Sequence, residues 1–183
     1  PAAMKGARDY YRSHPADFID HWCDTYDPRN AGTDKPTIMP MRLFKRQREF
    51  IDFLEACRKG EGHGLVEKCR DMGATFCASG YSVWLWLLLD GAAVGWGSRK
   101  EELVDKLGDP KSVFEKIRCI VTRLPREFLP AGYVPREHSS YMRLVNPETG
   151  ATITGEAGDN IGRGGRTLMY FKDESAHYEH AEL

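Results

Sequence analysis

"VEKCRDMGATF", residues 66–76, decides how the rest of the chain is read. The short apolar stretch "HGLVEKC" leads into it, and Gly73 then turns the chain into a long apolar run. A strand, a glycine turn and a helix in that order bring backbone N–H groups together at a positive helix end, which suits an anion such as phosphate. The usual pattern for such a loop is G-x-x-x-x-G-K-[ST]. With Gly73 as the second glycine, Thr75 takes the hydroxyl position. Ala74 then stands where the lysine belongs, and Lys68 stands where the first glycine belongs. Lys68 and Arg70 supply positive charge from the near side of the loop. On spacing alone, a phosphate loop and a plain structural turn both remain open.

The bulk numbers narrow the classes. A chain of 183 residues with 41% hydrophobic and 29% charged side chains has enough material for one domain with a sizeable core. The net charge of -1 gives no global attraction to nucleic acid, so any such contact needs a local basic patch. Five cysteines, Cys23, Cys57, Cys69, Cys77 and Cys119, form no C-x-x-C pair, and their odd count argues against a disulfide framework or a zinc ribbon. A reducing compartment follows, and the N-terminus shows no signal peptide pattern. "VWLWLLL" at 83–89 is too short to span a bilayer and reads as part of a buried helix.

Working outward, "SHPADFIDHWCDTY" predicts a first helix capped by Ser13, with Pro15 in its first turn and Phe18, Trp22 and Tyr26 on one face. Residues 27–40 read as a loop. "RLFKRQREFIDFLEACRKGEG" predicts an amphipathic helix with Phe50, Phe53, Leu54 and Cys57 together, ended by Gly60. "HGLVEKC" predicts a short buried strand, residues 74–89 a long helix, and "AAVGWGS" a second buried strand. "KEELVDKL" and "SVFEKIRCIVTRL" predict two helices split by Gly-Asp-Pro. "YMRLVN" and "ATITGEAG", joined by "PETG", predict a β-hairpin. A glycine-rich loop then enters the strand "TLMYFK", which ends at Asp173 and Glu174. This order predicts an α/β protein with a largely parallel sheet and an inserted hairpin. Ligands of such sheets bind beyond the carboxyl ends of the strands, where the 68–75 loop and the two acids both fall.

Two acids after an apolar strand suit a nucleotide hydrolase: the first holds Mg²⁺ and the second polarises the attacking water. Capping of a following helix "SAHYEHAE" is the alternative, and the two roles are compatible.

"LVEKCRDMGATF", "GSRKEELVDKLGDPKSVFEKIR", "NPETGATITGEAGDNIGRGGR" and "YFKDESAH" together resemble the large terminase subunit of tailed bacteriophages, over roughly residues 40–180. The resemblance implies a P-loop ATPase domain at 41–183 behind an N-terminal helical and linker segment at 1–40. In that family the Walker A lysine often moves to the start of the loop, as Lys68 does here. The resemblance also implies an ATP site made by Lys68, Cys69, Arg70, Asp71, Met72, Gly73, Ala74 and Thr75. Thr75 and the Walker B Asp173 would hold Mg²⁺, and Glu174 would be the catalytic carboxylate. Arg70 matches a loop arginine facing the γ-phosphate. Gln47 matches a glutamine that contacts adenine, the alternative being a solvated helix residue. Arg163 and Arg166 match arginines that act in trans on a neighbour's ATP, the alternative being a basic loop balanced by Glu156 and Asp159.

The implied work is translocation of double-stranded DNA into a procapsid, driven by ATP. The implied partners are DNA, a portal protein, a small terminase subunit and further copies of the chain, in the cytoplasm of the infected host, with no membrane. Two departures stand out. Lys172 precedes Asp173 where an apolar residue is expected. The chain also stops soon after Glu174, before the strand that carries the family's coupling motif and before its nuclease, so it reads as C-terminally truncated and as a slow hydrolase by itself. Another nucleic-acid motor of helicase type, or a nucleotide-binding domain without turnover, are the rival readings. Other residues carry less: His177 and His180 share a helix face beside Glu174 as a weak metal pair, Cys69 lies near a helix N-terminus without a catalytic partner, and Trp84 and Trp86 read as core.

Overall fold

The computed structural model describes residues 2–69, 71–158, 161–162 and 165–175. Its centre is a helix, α4 (Ala74–Leu88), in which Cys77 to Leu88 are all buried. A helix that is apolar all round must be covered on every side. Here a five-stranded sheet covers one side, and α2 (Pro15–Trp22), α3 (Lys45–Ala56) and α6 (Val113–Val121) cover the others. Gly80 lets α2 approach closely: a Cβ there would lie 3.2 Å from Ile19 Cγ1. Trp84 donates to the carbonyl of Tyr11 at the end of α1 (Ala2–Tyr11), which ties this helix to the same core.

The sheet contains β3 (Ala93–Ser98), β4 (Ser139–Ser140), β5 (Arg143–Val145), β6 (Thr152–Ala157) and β7 (Met169–Lys172), in the order β4-β5-β6-β3-β7. Both neighbours of β3 run parallel to it, whereas β5 pairs antiparallel with both β4 and β6. The sheet is therefore mixed rather than largely parallel. The predicted hairpin does not stand apart as an insertion; its second strand, β6, is itself a central parallel strand. Asn146 holds the hairpin turn. Its Nδ2 donates to Trp86 O, and its Oδ1 accepts from the amides of Glu148 and Thr149. β4 and β7 are the edge strands among the described residues.

Several expectations need correction. Residues 63–69 form no strand; they run as coil over α3, with a Cβ at Gly64 falling 2.7 Å from Phe53 Cζ. Leu65 is 84% exposed, so this stretch has neither a neighbouring strand nor a covered face. His14, not Ser13, precedes α2, and Ser13 Oγ turns back to Tyr10 O. Helix α2 ends at Trp22, and Tyr26 lies instead in β1 (Asp24–Tyr26), paired antiparallel with β2 (Ile38–Pro40) inside the predicted loop. On α3 the buried face is Ile51 and Leu54, while Phe53 stays exposed. Gly60 does end the helical stretch, at a φ of 92° in the wide turn Cys57–Glu61. The Gly-Asp-Pro break leaves only one turn of helix before it, α5 (Glu101–Val104).

Candidate functional site

Gly73 caps α4 with φ 69°, a left-handed conformation that suits glycine, and its carbonyl accepts the amide of Cys77. The amides of Ala74, Thr75 and Phe76 in the first turn have no acceptor among the described residues. They form an open cluster of donors at the positive end of the helix. Asp71, one turn earlier, also has positive φ, 63°. For a residue with a Cβ this is strained backbone, of the kind that collects at ligand loops. Its carboxylate lies 3.5 Å from Arg29, in the loop between β1 and β2.

Gln47 fastens the loop to α3. Its Oε1 accepts from Phe44 N at 3.0 Å and its Nε2 donates to Met72 O at 3.0 Å. A primary amide has two donors and two acceptor lone pairs. One of each therefore stays available on Gln47 beside the loop. Phe44, 75% exposed, and Met72, also exposed, give this corner an apolar rim. Lys68 and Cys69 are exposed in the coil before the turn.

Asp173 and Glu174 follow β7. The amide of Asp173 donates to Gly97 O at 2.9 Å, which carries the β3–β7 ladder one step beyond Lys172. Glu174 adopts φ 51°, and its amide donates to Asp173 Oδ1. Burial raises the Asp173 carboxyl above its ordinary range, and the charge of Glu174 adds to this. The positive charges of Lys68 and Lys116 oppose it. The positive charge of Lys68 is thus felt at the acid that ends β7.

Lys116, on α6, is a residue that sequence reasoning missed. Its ammonium donates to the carbonyls of Lys111 and Ser112 and lies 5.9 Å from the centre of the Phe76 ring, beside Thr75 in sequence. Burial lowers its pKa, against the attraction of Asp173, Asp109 and Glu174. Only its place in the fold reveals it, since a lysine among the charges of "VFEKIR" carries no motif. A cavity of about 340 Å³ opens beyond Phe76 and Lys116, between α6 and the β1–β2 ribbon. No described residue of the 68–75 loop lines it.

On the opposite face of β3, Tyr170 lies across two glycines. A Cβ at Gly95 would stand 2.3 Å from its ring, and one at Gly97 would stand 2.5 Å from its hydroxyl. That hydroxyl and the amide of Gly162 both donate to Glu156, which fixes the start of the glycine-rich loop. Arg166 is exposed beyond it. Arg70, Asp159, Arg163, His177 and His180 lie outside the described residues.

Among the described residues no three His, Cys, Asp or Glu side chains gather as a metal cluster. The oxygen donors near the loop, the Thr75 hydroxyl and the carboxylates of Asp173 and Glu174, suit a hard cation that keeps several waters. The hydroxyl of Ser98, at the end of β3 where Asp173 joins the ladder, is buried and lacks a hydrogen-bond partner among the described residues. An orphaned polar group there fits a site that expects a further ligand or water.

No family model and no curated protein sequence matches this chain. Among solved structures it is similar to the crystal structure of the HK97 bacteriophage large terminase, with a TM-score of 0.61 and 16% sequence identity. The match covers 91% of this chain and 31% of that chain, so this chain spans about a third of the terminase's length. At that identity the likeness shows a terminase-like α/β fold. No helix among the described residues is long and apolar enough to cross a membrane.

Proposed function

We propose that this chain is the ATP-hydrolysing unit of a DNA-packaging terminase. Three observations support the reading: the open helix N-terminus at Gly73–Phe76, the exposed Lys68 in the loop before it, and the Asp173–Glu174 pair at the end of β7, the strand beside β3. Free amides and a helix dipole bind phosphate oxygens, and Lys68 adds the cation that the loop lacks at Ala74. Thr75 and Asp173 would hold Mg²⁺. Bound Mg²⁺ neutralises phosphate charge and orients the γ-phosphoryl group. Glu174, exposed next to Asp173, takes a proton from the attacking water. Gln47, with one donor and one acceptor spare, reads the adenine edge. Arg70, Arg163 and Arg166 are the candidates for stabilising transition-state charge, the last two from a neighbouring copy.

In this reading the motor acts on double-stranded DNA through phosphate contacts and without base readout, which suits movement along any sequence. A portal ring, a small terminase subunit and other copies of this chain are its further partners, in the host cytoplasm. One observation favours a second reading, nucleotide binding without turnover. Residues 63–69 are coil, so Lys68 is not anchored on a strand. Replacement of Glu174 by Gln separates the two. The hydrolase reading predicts unchanged ATP affinity and loss of most phosphate release; a parent chain that binds ATP yet releases no phosphate with DNA and neighbouring copies present supports the second.

A further inference from the structure

The orphaned hydroxyl of Ser98 lies on the same side of the sheet as Asp173. Trp96 and Phe171 are register partners on β3 and β7, and their rings stack at 4.6 Å. Trp96 Nε1 donates to Ser82 Oγ on α4, so this side of the sheet faces α4. Side chains two apart on a strand share a side. Ser98 follows Trp96 by two and Asp173 follows Phe171 by two, and the Asp173 amide bonded to Gly97 O keeps that register. Ser98 and Asp173 are therefore neighbours across the ladder, both turned toward the first turns of α4.

On α4, Thr75, Ser79 and Ser82 recur at helical spacing and present hydroxyls on one stripe. Ser82 is engaged by Trp96. One layer nearer the loop, Ser79 Oγ and Ser98 Oγ are each buried with no hydrogen-bond partner among the described residues. A buried unpartnered hydroxyl keeps its desolvation cost without the hydrogen bond that would offset it. Ser79 near the start of α4 and Ser98 at the end of β3 thus place two buried hydroxyls at the end of the α4–β3 interface that Asp173 adjoins.

We propose that Ser98 is a positioning residue of the metal site, its hydroxyl holding a water of the cation bound by Thr75 and Asp173. This rests on the nucleotide-site reading above. It follows that Ser98 carries no weight in nucleotide binding when metal is removed.

The test uses Mn²⁺ as the probe, with free Mn²⁺ counted by electron paramagnetic resonance in the presence of a non-hydrolysable ATP analogue. Loss of an outer-sphere partner typically weakens metal binding by about 10- to 100-fold, so Ser98→Ala is expected to lose about tenfold in Mn²⁺ affinity. Analogue affinity in EDTA stays as in the parent, and the metal-free melting temperature stays or rises, because an unsatisfied hydroxyl has gone. A merely structural serine would not split these readouts. Mn²⁺ affinity within about twofold of the parent overturns the assignment of Ser98 alone. If the parent shows no Mn²⁺ binding that Asp173→Asn abolishes, the metal site and this proposal fall together.

Discussion

Gln47→Ala separates the structural work of this side chain from its proposed reading of the base. Two hydrogen bonds are lost, one from Phe44 N and one to Met72 O, each 3.0 Å long. Both are open to solvent, so each counts toward the lower half of the usual 0.5–1.5 kcal/mol, and the pair is worth about 1–2 kcal/mol. For a chain of this length that lowers the melting temperature by about 2–8 °C. The spare donor and acceptor, if used on adenine, add about 1–3 kcal/mol of base discrimination, or about 5- to 150-fold in affinity ratio. The assay is competition of ATP and GTP against a fluorescent nucleotide, alongside thermal melting. The parent should prefer ATP, and Gln47→Ala should lose the preference while melting only slightly lower. An unchanged ATP-to-GTP ratio would show that Gln47 only staples the loop to α3.

Other expectations test the frame around the site. Asp105, 3% exposed, accepts from Arg118 Nη1 at 2.8 Å, Arg118 Nη2 at 2.7 Å and Met142 N at 2.6 Å. Asp105→Ala should cost about 3 kcal/mol in urea unfolding, the low end for a broken buried pair because Arg118 keeps Glu115. A loss under about 1 kcal/mol would refute that lock. Gly95→Ala should destabilise by about 1–3 kcal/mol through the Tyr170 ring; a neutral result would mean β7 shifts freely on β3. Burial raises the pKa of Glu55, but hydrogen bonds from Arg58 and Tyr81 outweigh it and leave it lowered. The folded state then holds fewer protons there, so this stabilisation is present above about pH 4.3 and is lost as acid titrates the folded carboxylate. The stability gap between parent and Glu55→Gln should close below that pH; a constant gap would contradict the pairing.

The sequence announced most of the elements that pack from their own pattern. An unbroken apolar run became α4, and glycine punctuation marked the ends of α4 and the break before α6. Alternating strands between turn residues became β5 and β6. Elements that depend on partners were not legible. "HGLVEKC" has strand-like residues, yet no strand lies beside it, and it stays coil. The three-residue ribbon β1–β2 hides in a stretch of Pro, Gly and Asp because only cross-strand pairing makes it a ribbon. In the site, the Gly73 turn and the acids after β7 were readable from spacing. Lys116 and the proposed role of Ser98 were not, since one depends on the packing of α6 and the other on the register of β3 against β7.

Equilibrium binding of a non-hydrolysable ATP analogue with Mg²⁺, in the parent and in Lys68→Ala, tests the displaced-lysine loop most directly. The parent should bind saturably and depend on Mg²⁺. Removing a cation that bonds a phosphate should weaken this by about 1.5–3 kcal/mol, or about 10- to 150-fold. A parent that fails to bind the analogue, or a Lys68→Ala chain that binds it equally well, would contradict the phosphate-loop reading.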